Sequence, residues 1–316
     1  MKRFSIITGF LLILLSSAIS QDGRIIEQKE YTYPDSTITA ISSIFPDIRS
    51  ASEKVRFFRI TYLSDGLKVK GYLAIPRKEG KHPCIIYNRG GSREFSAIND
   101  RNFLRWIGKL AAENYVVVAS QYRGNAGGEG KEEFGGKDLN DVINLFPLLA
   151  SIPQADTSRI GMFGLSRGGM MTYLAMTQTN KLKAAVVLSG LADLPKALAS
   201  RPEMDSNWAA TIPEYRIRKD EVLKARSATS FADKMNKSTP LLIVQGSGDW
   251  RVPSDQVLDL VQKLYVAKQP MRFILYEGGQ HSMIEHVKDL YTQMLSWFND
   301  YLRDGKKLPD LNLHGE

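Results

Sequence analysis

The sequence predicts an α/β fold: a mostly parallel central sheet with helices on both faces and a helical cap inserted late in the chain. Three observations predict it. Short continuous apolar runs recur at CIIY (84–87), YVVVAS (115–120), IGMFGL (160–165), AAVVLS (184–189), LLIVQG (241–246) and FILYEG (273–278). Stretches long enough for a helix separate most of them, and strands buried on both faces with crossover helices between them form parallel sheets. One interval is anomalous: residues 191–238 put about 48 residues between consecutive strands, more than one crossover helix needs, and this is the expected cap.

Taken in order, residues 1–20 carry Lys2 and Arg3, an apolar stretch over 6–15 and then small residues, the three-part layout of a secretory signal cleaved near Ser20. The apolar stretch is shorter than the roughly 20 residues that span a bilayer, so no stable membrane insertion is expected after cleavage. The mature protein is expected to be secreted or periplasmic. Residues 21–50 are polar apart from an apolar group at 41–45 and read as an N-terminal leader segment packing on the main domain, 51–303. FFRITYL and VKGYLAI alternate apolar and polar residues around Ser64, Asp65 and Gly66 and stop at Pro76. That is a hairpin, expected as the antiparallel edge of the sheet. Helices are expected over 99–113, 138–150, 167–178, 254–268 and 283–303, with 304–316 as a C-terminal tail.

Composition narrows the function classes. The chain has 316 residues, 43% hydrophobic and 24% charged, enough for one large core or two modest ones. Cys84 is the single cysteine, so an exported chain folds without an internal disulfide, and its place in PCIIY marks a small buried residue rather than a reactive thiol. The formal charge of +8 falls to +6 when Lys2 and Arg3 leave with the signal. The basic residues are scattered rather than arranged in a stripe with aromatics, and no nucleic-acid partner is expected. Four histidines and one cysteine show no metal-ligand spacing, so neither a metal nor an organic cofactor is expected. Glycine-rich GNAGGEGKEEFGG (124–136) lacks the Gly-Lys-Ser/Thr ending of a phosphate loop and fails G-x-G-x-x-G, which leaves a mobile loop beside the site. Nothing in the pattern indicates an oligomeric state.

The chemistry concentrates at strand ends, where open α/β sheets collect their functional groups. Gly164-Leu165-Ser166-Arg167-Gly168 satisfies G-x-S-x-G at the end of IGMFGL and directly before an expected helix. Glycines there allow a turn too tight for neighbouring side chains, and the Arg167 amide at the helix start can donate to a developing oxyanion. A serine needs a base and an orienting acid. His82 precedes CIIY at the far end of the sheet, His314 is in the tail and His286 falls in the last helix. His281, in the loop EGGQHSM after the last strand, is the expected base. Asp249, in GSGDWRVP after LLIVQG, is the expected acid, since Asp255 and Asp259 lie on the next helix. The order Ser166, Asp249, His281 is that of α/β-hydrolases. The second oxyanion donor is expected from the loop 88–92 after CIIY, with Arg89 and Gly90 as candidates. Trp208 and Tyr215 in the cap are candidate substrate contacts, with packing as the alternative. Arg251 and Arg123 flank the site, to hold a substrate carboxylate or to support loops.

Between about residues 57 and 301, SDGLKVKGYLAIP, YNRGG, QYRGNAGGEG, RIGMFGLSRGG, VQGSGDWRVP and EGGQHSM together resemble the catalytic domain of the prolyl oligopeptidase family, within the α/β-hydrolase superfamily. The resemblance implies a triad of Ser166, Asp249 and His281, with the Arg167 amide in the oxyanion hole. Arg89 stands where this family often has a tyrosine or histidine before Gly-Gly, so its guanidinium serves an oxyanion only by pointing inward. Many relatives carry a β-propeller ahead of this domain that, in dipeptidyl peptidases, supplies acidic residues for the substrate amine. Only about 30 mature residues precede the domain here, and the propeller is expected to be absent. The implied activity is a serine peptidase on short peptides, with carboxylic or carbohydrate esters as the alternative substrates. A non-catalytic, hydrolase-like binding module is the competing class, against which the intact Ser166, Asp249 and His281 set argues.

Overall fold

The computed structural model describes residues 21–315 except 44 and 46; the expected signal, residues 1–20, lies outside the described residues. The strands are β1 (Ile25–Tyr31), β2 (Val55–Ser64), β3 (Leu67–Pro76), β4 (His82–Asn88), β5 (Val116–Ser120), β6 (Ala155–Leu165), β7 (Leu182–Leu188), β8 (Leu241–Gly246) and β9 (Met271–Tyr276). They form one sheet in the order β1-β2-β3-β5-β4-β6-β7-β8-β9. Pairs from β1 to β5 along that order are antiparallel, and all pairs from β5 to β9 are parallel. The six apolar runs of the sequence are β4 to β9.

Every residue of β4, β5 and β8 is buried because helices cover both faces. Alternation sorts their side chains. Cys84, Ile86, Val116 and Val118 enter one core with the helices at 139–150, Arg167–Gln178 and Ser254–Val266. Ile85, Tyr87, Val117 and Ala119 enter the other, with the helical stretch 100–112 and the helix Val287–Phe298. The chain moves from β4 outward to β5 and then crosses back to β6 on the other side of β4. Ligands bind at such switch points, here the carboxyl ends of β4 and β6.

Two expectations at the amino-terminal side are corrected. The β2–β3 hairpin is not the edge of the sheet, because β1 pairs antiparallel with β2 from Ile25 opposite Tyr62 to Tyr31 opposite Phe57. Residues 21–50 are therefore more than a covering leader. They supply the edge strand and a helix, Asp35–Ser42, and bury Tyr33, Ile41, Phe45 and Ile48 in the second core. β1 escapes a reading by alternation because its interior residues are all exposed, leaving no apolar face.

The stretch 191–238 between β7 and β8 contains the short helices Leu194–Ser200, Met204–Ala209 and Lys219–Lys224. Trp208, Ile212, Tyr215 and Leu223 from it join the first core, so the cap is continuous with the sheet's packing.

Candidate active site

Ser166 lies between the last residue of β6 and the first of the helix Arg167–Gln178, with φ 59° and ψ −121°. For a non-glycine residue this conformation costs about 1–3 kcal/mol and persists only where the surroundings impose it. They do so here. The Ser166 amide donates to Leu188 O at 2.9 Å, and its carbonyl accepts from the amides of Gly169 at 2.9 Å and Leu191 at 3.1 Å. A Cβ on Gly164 would stand 2.1 Å from Gly168 O, and one on Gly168 only 1.9 Å from Asn88 O. The two glycines let β6, the new helix and the end of β4 close on one another.

Asp249 and His281 follow β8 and β9, at the same edge of the sheet. The Asp249 carboxylate is buried and accepts from the amides of Arg251 at 2.9 Å and Val252 at 3.0 Å on Oδ1. Its Oδ2 lies 2.7 Å from His281 Nδ1. This contact assigns Nδ1 as donor and leaves Nε2 as the free basic atom. His281 and Ser166 line one cavity of about 990 Å³.

At the helix start, the Arg167 amide has no carbonyl of its own helix to donate to. Gly90 packs across it: a Cβ there would sit 3.2 Å from Ser166 Cβ and from Leu165 O. Gly90 and Gly91 line the cavity beside Ser166.

Arg89 departs from expectation. Its guanidinium is buried and turned into the protein, donating to Gln121 O at 3.0 Å, Arg93 O at 2.9 Å and Gly90 O at 3.1 Å. With its donors spent on these carbonyls, it braces the loop and does not point at an oxyanion. The Arg167 side chain does similar work from below, reaching Gly91 O at 3.0 Å, Glu132 at 2.8 Å and Asp138 at 2.5 Å. Glu132 also accepts from the Arg93 amide and Asn125. Burial raises the pKa of its carboxyl, but Arg167 and these hydrogen bonds outweigh burial and hold it below the ordinary carboxylate range. The glycine-rich loop 124–136, expected to be mobile, is thus pinned under the site by Glu132. Sequence reading missed Glu132 and Asp138; the only available signal was acidic residues in a loop that follows QYR.

The other candidates separate. Trp208 is buried and lines the cavity, its indole 5.8 Å from the ring of Phe134. Arg251 lines it as well, its guanidinium over Trp250 at 4.7 Å. Tyr215 does not: it is buried away from Ser166, with its hydroxyl 2.8 Å from Asp205, and serves the packing of the cap. Arg123 is structural, forked onto Asp141 and bonded to Asp65. Cys84 is fully buried and burial pushes its thiol up to about 12, leaving it unreactive. Among the described residues no cluster of His, Cys, Asp and Glu has metal-binding geometry, and no helix is long and apolar enough to cross a membrane.

A model of the prolyl oligopeptidase family matches residues 103–305. The chain is 32% identical to the uncharacterized peptidase YtmA of Bacillus subtilis, over 79% of this chain and 96% of that protein. It is 24% identical to dipeptidyl-peptidase 5 of Porphyromonas gingivalis over 76% of this chain, spanning 37% of that longer relative. Among solved structures, Pyrococcus horikoshii acylaminoacyl peptidase superposes with a TM-score of 0.67 at 23% identity, over 80% of this chain and 42% of that one. At that identity the likeness speaks to the α/β-hydrolase fold.

Proposed function

The chain belongs to the prolyl oligopeptidase family of serine peptidases, and from that premise we propose that it is an exported peptidase that cleaves short peptides with Ser166, His281 and Asp249. His281 Nε2 takes the Ser166 proton as Oγ attacks the scissile carbonyl, then gives it to the leaving amine. Asp249 fixes the imidazole and stabilises its charged form. The oxyanion receives the Arg167 amide and one amide from Gly90 or Gly91, each such donor being worth about 10²–10³ in rate. Water then releases the acyl group by the same proton path.

The observation that carries this reading is the 2.7 Å contact between His281 and a fully buried Asp249 carboxylate, opening onto the cavity that holds the strained Ser166. A volume of about 990 Å³, lined by Trp208 and Met204 among others, suits a short peptide rather than a folded protein. Export rests on the layout of residues 1–20 and is tested by the amino-terminal sequence of the mature protein, expected to begin near Gln21.

A fluorophosphonate probe followed by peptide mapping tests the nucleophile. Modification of Ser166 is expected, and S166A should lose at least about 10³-fold in kcat/KM. A panel of short peptides and p-nitrophenyl esters tests the bond cleaved: amide hydrolysis is expected, and turnover confined to esters overturns the peptidase reading.

A further inference from the structure

The buried arginines of this protein are matched, with one exception. Arg89 and Arg167 share Glu132, Arg167 also holds Asp138, and Arg123 forks onto Asp141. Among the described residues Arg226 has no carboxylate within pairing distance, but it bonds the carbonyls of Phe134, Val222 and Glu133. Arg105 has neither. It is 9% exposed, makes one hydrogen bond, from Nη2 to Ser282 O at 3.3 Å, and has a buried Nε with no partner. Among the described residues no carboxylate pairs with it. Its charge rests on the rings of Trp106 at 4.4 Å and Phe45 at 4.8 Å. Cation–π contacts offset only part of the cost of burying an unpaired charge.

Arg105 also stands in a special place. It belongs to a widened π-type turn, Phe103–Gly108, in the helical stretch that covers the second core, and such turns commonly re-aim a side chain at a functional site. It lines the same cavity as Ser166 and His281, and its single acceptor belongs to the residue after His281. The leaving group must lie within reach of His281 Nε2 to be protonated, so the part of the cavity beside His281 receives it. An amino acid carries its amine and its carboxylate on one Cα. A leaving amine at His281 therefore puts its carboxylate one residue-length away, in the region of Arg105.

We propose that Arg105 is the anion subsite of the leaving-group side, receiving a carboxylate of the released residue and directing cleavage next to the C-terminus of short peptides. The proposal rests on the serine peptidase reading above and adds a substrate class to it. The bound carboxylate supplies the counter-charge that the fold withholds from Arg105, and guanidinium geometry suits it to a two-point contact.

Three N-acylated dipeptide series test this: a free C-terminal acid, its C-terminal amide, and amides with Asp or Asn at the leaving position. The free acid is expected to exceed the amide in kcat/KM by at least about 10-fold. A preference for the free acid alone assigns the subsite to the terminus, whereas a preference for the Asp amide over the Asn amide with none for the free acid assigns it to side-chain carboxylates and overturns cleavage next to the C-terminus. In R105Q the acid-to-amide ratio should fall close to one, and in R105K it should remain above one. Inhibition of p-nitrophenyl ester hydrolysis in the unaltered protein by a free amino acid and by its amide gives a measurement that needs no variant, with the acid expected to bind about 10-fold tighter. Equal handling of acids and amides by the unaltered protein, with Ser166 still labelled by fluorophosphonate, overturns the subsite alone. Absence of labelling overturns the peptidase reading instead.

Discussion

Among the described glycines Gly168 has the least room: an added methyl would sit 1.9 Å from the Asn88 carbonyl, at the end of the neighbouring strand. Neither strand nor helix can retreat without moving Ser166, so G168A is expected to lose the folded state or drop its thermal midpoint sharply, read by circular dichroism. G278A is the contrast, because Gly278 has φ +63° but nothing within 4 Å, and only the left-handed backbone cost of about 1–2 kcal/mol is expected. Glu132 makes a second prediction at this scale. Its folded pKa lies below the unfolded value of about 4.3, so its contribution to stability is fully present above that value and lost as pH falls through the folded pKa. E132Q should cost roughly 3 kcal/mol near neutrality, and the gap to the unaltered protein should narrow in urea titrations below pH ~4.3. A gap independent of pH would show that Glu132 acts by shape alone. That Ser166, Asp249 and His281 share one edge of the sheet was legible in the sequence because each follows an apolar strand within five residues. Glu132 and Arg105 were not, since their meaning depends on which charges lie near them in space: Glu132 reads as a solvated loop charge, and Arg105 as a polar residue of an ordinary helix.

Among elements, the loop after β4 lines the cavity beside Ser166, and it is held from two sides. Arg89 fastens the carbonyls of Gly90 and Arg93, while Arg167 fastens that of Gly91 and is itself anchored by Glu132 and Asp138. Arg89 is thus a positioning residue for the amides beside Ser166. R89M should lower kcat by about 10–100-fold through misplaced oxyanion donors while KM changes little, and the rate of fluorophosphonate labelling should fall with kcat. An unchanged kcat with raised KM would place Arg89 in substrate binding. Strands β4 to β9 were readable because two-sided burial writes uninterrupted apolar runs. β1 was not, because an edge strand with an exposed interior has no such pattern, and it is recognisable only by its partner. That helices fill the long interval between β7 and β8 was foreseen from length alone. Their contacts were not: Trp208 reaches the cavity whereas Tyr215, seven residues on, bonds Asp205 instead.

For the whole molecule, the amino-terminal segment closes what would otherwise be an open sheet edge. β2 is ten residues long, and without β1 it would present a row of unpaired amides and carbonyls, a template for strand addition by another chain. β1 covers it and turns charges outward, with Glu30 on Arg56 at 2.8 Å and Glu27 on Lys70 at 3.3 Å. Exposed pairs of this kind add little stability, but charge on an edge opposes association. Stability comes instead from Tyr33, just beyond β1, whose buried ring meets Tyr31 at 4.8 Å, Phe57 at 5.2 Å and Phe103 at 6.1 Å. Burial of such a ring contributes about 2 kcal/mol or more, and in a domain of this size each kcal/mol is worth about 2–4 °C in Tm. Removal of residues 21–33 is therefore expected to lower Tm by at least about 4 °C. Ser166, Asp249 and His281 sit at the carboxyl ends of β6, β8 and β9, four or more strands from that edge. The truncated protein should keep its fluorophosphonate reactivity at low concentration and low temperature, and form larger species on gel filtration as concentration rises. An unchanged Tm together with a single, concentration-independent peak would mean that β1 is dispensable to the sheet and that β2 is protected by its own twist and by the charges of β2 and β3.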